Sequence, residues 1–420
     1  MNIGVSKYGQ MILPDGKYYS LDDQTTRLNN NVLCIGSSGA SKTRSVITPN
    51  LLECVGSYVI TDAKGNLYRK WGKYMEDNGY RVIRLSFIHP EESAHYNPMK
   101  YVKTTHQIQQ LASTFVYSDN RRSNDPFWDE TSLMLLNSVI AYLVETYKED
   151  SLYLNIQNIM ELLRLSERKS GHESDLRTLM EKLELINEDS WAVKQFMNVS
   201  QSPDKTFACT VETALAKLGA LDTVELEKMM EYDEIDLSSI GKSKTAVFVE
   251  VSDSDRSMDM LINLFFTQTM NQLCSYADEH CKDSQLPVPV RFLMDDFATN
   301  CKIVHFENMI SNIRSRKISV ILVIQSLSQL DAGYGDSAHT IIDNCDTMLY
   351  MGGNDPTTAR EIAIRCDKTV QTILHMPLCH SWIFRRGSKP FMCRNMEFDD
   401  YYKDRIINKE NSAEKNSEVI

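Results

Sequence analysis

Short apolar runs punctuate this chain, each closed by a glycine, an acid or an amide, and their spacing predicts most of its architecture. Residues 31–35 form one run and read as a buried strand. Residues 57–61 and 80–86 form two more, separated by a helical stretch, Asn66–Asp77, that Asn78-Gly79 brings to a stop. Strand, helix, strand in this order predicts a parallel sheet covered by helices. Upstream, Gly4, Gly9, Pro14 and Gly16 divide residues 1–30 into short mixed segments, as in a small β-hairpin region.

The strand rhythm stops near Thr104. As far as Asp233 the apolar spacing is helical, with helices expected over 107–116, 129–147, 154–165, 174–185, 191–199 and 205–218. Asn124-Asp125-Pro126 and Ser202-Pro203-Asp204 are helix starts. The alternation then returns. Strands are expected at 245–251, 290–295, 318–325, 346–351 and 381–384, and helices at 258–277, 306–316 and 356–366.

Composition narrows the class. With 420 residues and 42% apolar content, one large or two ordinary domains with a full core are expected. The net charge of −12 argues against a nucleic-acid coat protein, though not against a local basic groove. About 13 basic and 23 acidic side chains fall within 101–235, so the helical segment carries most of the excess. The 10 cysteines form no Cys-x-x-Cys pair and read as reduced thiols of a cytosolic protein. No signal peptide and no apolar run long enough to span a bilayer is evident.

The run at 31–35 leads into Gly36-Ser37-Ser38-Gly39-Ala40-Ser41-Lys42-Thr43. A phosphate-binding P-loop requires Gly, four residues, Gly, Lys and Ser or Thr, placed between a strand and a helix. Gly36, Lys42 and Thr43 satisfy it, while Ser41 stands where the second glycine belongs. In such a loop small residues and exposed N–H groups cradle phosphates. Lys42 neutralises the β- and γ-phosphates of ATP, and the Thr43 hydroxyl binds Mg²⁺. The strand Arg291-Phe292-Leu293-Met294 ends in Asp295 and Asp296. Asp295 suits the magnesium-holding acid and Asp296 the acid that polarises the attacking water. The strand ending at Gln325 supplies either a γ-phosphate sensor or a plain helix cap. Arg314 and Arg316 are either arginines that complete a neighbouring subunit's site or a solvated basic helix end. Asp62 and Lys64, after the strand beside the P-loop strand, either couple to nucleotide or form a turn.

Taken in order, these segments and Thr48-Pro49-Asn50-Leu51-Leu52, Ile60-Thr61-Asp62-Ala63-Lys64-Gly65, Asn97-Pro98, Asp125-Pro126-Phe127-Trp128, Gln325-Ser326-Leu327-Ser328-Gln329-Leu330, Asn344-Cys345-Asp346 and Gly352-Gly353-Asn354-Asp355-Pro356 are similar to one series. It resembles that of the type IV coupling proteins, the ATPases of conjugative DNA transfer and type IV secretion, over about residues 18–365. The resemblance implies an α/β fold with a RecA-like P-loop NTPase core, a predominantly parallel sheet and an all-α insertion domain. The expected division is 1–103 and 236–400 for the nucleotide-binding domain, 104–235 for the insertion, and 401–420 for a polar tail. It implies ATP and Mg²⁺ as cofactors and a homo-oligomer, a ring of six. The implied partners are single-stranded DNA, a relaxase and components of the secretion channel. Arg121-Arg122, 164–169 and 314–317 are candidate DNA-facing segments, and a solvated face explains each as well. The chain departs from the family at Ser41, at Asp296 where glutamate is usual, beyond about Asp367, and in lacking an N-terminal anchor segment. These departures leave open a weakened ATPase, an accessory subunit or a soluble form anchored by a partner; the expected location is cytoplasmic, with a peripheral place at the inner face of the cell membrane as the alternative. The functional expectation is an ATP-driven DNA translocase. The alternative is a weakened, non-motor module that recruits a relaxase or effector through its helices.

Overall fold

The computed structural model describes residues 9–117, 125–147, 152–166 and 174–403. Arg121, Arg122, Arg168, Lys169 and 404–420 lie outside them. The chain forms two compact units. One runs to Ile83, takes in Ser238–Glu250 and resumes at Leu273; the other comprises Arg84–Leu237 and Val251–Gln272.

The first unit opens with a hairpin of β1 (Gln10–Ile12) and β2 (Tyr18–Ser20), followed by the short helix α1 (Asp23–Thr26). The main sheet is built from β3 (Val32–Ile35), β4 (Ser57–Ala63), β5 (Arg81–Ser86), β6 (Thr245–Val251), β7 (Val290–Met294), β8 (Ile318–Ile324), β9 (Thr347–Tyr350), β10 (His380–Arg385) and β11 (Phe391–Arg394). The order is β11-β10-β9-β3-β8-β7-β4-β6-β5. Strands β3, β8, β9, β7 and β4 pair in parallel, and β9, β10 and β11 antiparallel. Strands β3 and β7 are buried along their whole length, as expected for parallel strands covered on both faces. The register aligns Ile35 with Ile324 and with Tyr350, so the loops after β3, β8 and β9 emerge at one sheet edge. Ligands of parallel sheets gather at such carboxyl edges.

After the P-loop the chain makes one wide helical turn, Thr43–Ile47, and continues as α2 (Thr48–Leu52). Asn50 is buried there. Its amide donates to the Ile12 and Val46 carbonyls at 2.8 Å each and accepts from the Ile12 N–H at 3.2 Å. One asparagine thus fastens the hairpin to the helix beneath the P-loop. Helix α3 (Asn66–Asp77) packs Leu67, Trp71 and Met75 into the core that holds Val46, Ile47 and Phe248.

The second unit contains α4 (Thr105–Tyr117), α5 (Pro126–Thr146), α6 (Ile156–Arg164), α7 (Asp175–Ile186), α8 (Trp191–Ser200), α9 (Asp204–Leu218) and α10 (Val224–Met230). Helix α5 packs against α4, α8 and α9. Its start is the expected one, since the Asp125 carboxylate accepts from the Phe127 N–H at 3.0 Å and Pro126 needs no donor. Among the described residues no helix is long and apolar enough to cross a membrane. All the cysteines are free.

Several elements escaped the periodic reading. Strand β11 is an edge with Phe391 and Met392 exposed, so it lacks the apolar alternation that marks a half-buried strand. Helices Leu327–Tyr334, Ser337–Asp343 and Val370–Leu374 are too short to display a period. Helix Phe398–Tyr402 runs into the segment expected to be tail. Tyr401 is buried there, and its hydroxyl donates to the Pro49 carbonyl at 3.1 Å and to Glu53 at 2.9 Å.

Candidate functional site

Strand β3 delivers the P-loop between two neighbours that hold it. The Gly36 N–H donates to the Ile324 carbonyl at 3.1 Å and the Ser37 N–H to the Gly352 carbonyl at 2.9 Å. Glycine is required at 36 by close approach, because a Cβ there would lie 3.1 Å from both the Ala40 and Met351 Cβ atoms. Gly39 is required by its φ of +82°. Ser41 takes a φ of +59°, the left-handed conformation that the missing glycine would adopt freely. The serine is therefore accommodated by backbone strain, with the loop's course kept. Among the described residues the N–H groups of Ser38, Gly39, Ser41 and Lys42 have no protein acceptor. The buried Lys42 folds over the loop, its Nζ donating to the Gly36 carbonyl at 2.6 Å and the Ser37 carbonyl at 3.0 Å.

The acids arrive from β7, separated from β3 by β8. The Thr43 hydroxyl donates directly to an Asp295 carboxylate oxygen. Asp295 is partly buried, and desolvation raises its pKa; the Thr43 bond and nearby Lys42 act against that, and Asp296 adds to it. A hydroxyl and a partly buried carboxylate that lacks full compensation suit a hard divalent cation, which prefers oxygen ligands. No cluster of three or more His, Cys, Asp or Glu among the described residues is placed to hold a metal, so phosphate or water oxygens would complete the shell. Asp296 sits in the left-handed region, φ +51°, and accepts from the Gln325 side-chain amide at 3.4 Å. Lys42, Thr43, Asp295, Asp296 and Gln325 thus meet at the carboxyl edge of β3, β7 and β8.

Arg314 and Arg316 do not join them. Both precede β8, at the strand end opposite Gln325. Seven residues of strand separate the two ends, roughly 20 Å at about 3.3 Å per residue. Arg316 makes a forked contact with the Asp278 carboxylate at 2.7–3.1 Å, and Arg314 bonds to Asp23. Asp62 belongs to β4, whose last residues extend past the expected strand end. Its carboxylate accepts from the Leu67 and Tyr68 N–H groups at 2.9 and 2.7 Å and so caps α3. Burial pushes its pKa up to about 6, opposed by these bonds and aided by Glu250.

Periodicity missed two contributors. The Thr61 hydroxyl clamps the Asp295 turn, donating to the Asp295 carbonyl at 3.1 Å and accepting from its N–H. A strand pattern cannot tell such a threonine from a packing residue. Beside the P-loop lies a cavity of about 400 Å³, lined by Ser37–Ser41, Gly352–Asn354, Met376–Cys379 and Asn395–Phe398. Its far wall comes from the region where the family pattern fades; the signal that could have marked a packed segment there is the spacing of Phe398, Tyr401 and Tyr402.

The chain is similar to Protein VirD4 of Rhizobium radiobacter, 23% identical over 344 residues, which cover 79% of this chain and 47% of that protein. It is similar to the Conjugal transfer protein TraG of Escherichia coli, 21% identical over 376 residues, covering 83% of this chain and 56% of that one. It spans about half the length of these curated relatives. Among solved structures it resembles the plasmid coupling protein TrwB in complex with ADP and Mg²⁺, with a TM-score of 0.66 and 15% identity, covering 93% of this chain and 90% of that one. That likeness identifies the fold as RecA-like. With the conjugative DNA transfer model of the type IV secretory system matching residues 4–374, the chain belongs to that family, the coupling proteins of conjugative DNA transfer.

Proposed function

We propose that the chain is an ATP-driven motor module that moves single-stranded DNA, with its bound relaxase, toward a type IV secretion channel. The observation that carries this reading is the convergence of Lys42, Thr43 and Asp295, with Thr43 bonded directly to the acid. ATP enters with its phosphates on the open N–H groups of the P-loop and its nucleoside in the adjoining cavity, a size usual for small-molecule sites. Thr43 and Asp295 would hold Mg²⁺, which supplies charge neutralisation at the phosphates. Lys42 must leave the Gly36 and Ser37 carbonyls to reach them, an exchange of neutral acceptors for anionic ones. Asp296 orients the attacking water, and Gln325, in contact with it, reports its position to the helix that follows β8. Arg314 and Arg316 act on nucleotide only if a neighbouring copy in a ring presents them.

A second reading, a non-motor recruiting module, has one observation in its favour. Leu152, Leu185 and Ile186 of the helical unit are 74–87% exposed, which suits a protein partner. The discriminating assay is ATP hydrolysis with and without single-stranded DNA. The motor reading requires DNA-stimulated turnover that Lys42→Ala abolishes; absence of turnover under every metal condition rejects it.

A further inference from the structure

The strand ends opposite the P-loop enclose a cleft of about 40 Å³ where three cationic side chains, Arg291, Arg314 and Lys317, meet one carboxylate, Asp23. Arg291 is 6% exposed. Its Nε donates to the Ser319 hydroxyl at 3.2 Å, and among the described residues its terminal nitrogens have no acceptor. Burial without an acid lowers its pKa to about 10. Asp23 is already engaged, by the Lys317 ammonium at 2.7 Å and by the Arg314 guanidinium at 3.4 Å. A guanidinium held this deep without a counter-charge is costly, and proteins pair such groups.

The geometry points to an anion site in this cleft, completed by a phosphate-sized oxyanion bound between Arg291, Arg314 and Lys317. The volume decides the ligand class. It holds about three waters, enough for one tetrahedral oxyanion and too little for a nucleoside. The forked donors of arginine match such oxygens. The site is separate from the nucleotide site, since Arg291 and Ser319 lie near the starts of β7 and β8 and the P-loop meets their far ends. It therefore stands or falls independently of ATP hydrolysis. It also gives Arg314 a role within its own chain.

The test is calorimetric titration of inorganic phosphate into the full chain at constant ionic strength, in a Lys42→Ala background that disables the P-loop. Saturable binding is expected, weakened about tenfold or more by Arg291→Met, as befits loss of a charged hydrogen-bond donor. Asp23→Asn should tighten binding severalfold, because it removes the carboxylate that lines the cleft and competes for Lys317 and Arg314, an effect that a purely structural role would not give. If Arg291→Met fails to fold, Arg314→Gln, at a half-exposed position, takes its place. Two sources of phosphate are separated by competition with an oligonucleotide carrying a 5′-phosphate and its 5′-hydroxyl twin. Competition by the phosphorylated strand alone assigns the site to a strand end, and competition by neither assigns it to free phosphate. Absence of saturable binding, or binding indifferent to both Arg291→Met and Asp23→Asn, overturns the proposal.

Discussion

Replacing Ser41 with glycine should stabilise this protein, although it deletes a side chain. Ser41 holds a φ of +59°, and a residue with a Cβ in the left-handed region is strained by about 1–2 kcal/mol. Glycine relieves that strain but gains freedom in the unfolded chain, which offsets about 0.5–1 kcal/mol. The hydroxyl makes no hydrogen bond among the described residues and the residue is exposed, so nothing else is lost. The net gain is about 0.5–1 kcal/mol, a Tm increase of roughly 1–3 °C for a unit of this size. Differential scanning calorimetry of Ser41→Gly beside Ser41→Ala measures it, with alanine, which keeps the Cβ, expected to give no gain. Because serine already traces the glycine path, ATP affinity should change by less than about threefold. A Tm that falls in Ser41→Gly, or matches that of Ser41→Ala, refutes the strain argument. A tenfold rise in affinity would mean that serine distorts the cradle.

Other consequences follow from single groups. Asp62 has a folded pKa of about 6, above its unfolded value of 3.8, so between about pH 4 and 6 the folded state binds more protons and stability falls as pH rises; Asp62→Asn should flatten that slope in Tm measured across the window. Asp295→Asn removes a carboxylate whose pKa burial raises, so the protein should be as stable or more so while Mg²⁺-dependent ATP binding weakens about tenfold or more, read by titration. In the wild type the same raised pKa makes Mg²⁺-dependent nucleotide binding weaken as pH falls through it, and an affinity that is flat or improves on acidification contradicts the placement of Asp295. Gly36→Ala forces a Cβ against Ala40 and Met351 and should destabilise by about 1–3 kcal/mol in denaturant unfolding, with loss of ATP binding.

What the sequence disclosed was decided by length and burial. Helix Asn66–Asp77 and strand Thr245–Val251 were legible because each has enough residues to show a period and a definite end. The P-loop, Asp295 and Gln325 were legible because each closes a buried apolar run with a group that has no packing reason to be there. The cavity wall at Met376–Cys379 and Asn395–Phe398 was not, since it is assembled from turns that only tertiary packing juxtaposes. The arginines show the reverse case. Chain order sets Arg314 and Arg316 just before a site strand, and strand direction then carries them to its opposite end.

The central claim is that Lys42, Thr43 and Asp295 grip a magnesium–triphosphate unit, and isothermal titration of ATP into folded protein tests it most directly. The account predicts saturable binding that requires Mg²⁺ and is lost in both Lys42→Ala and Asp295→Asn. Binding that persists unchanged in either variant, or no binding by the folded wild type, would contradict it.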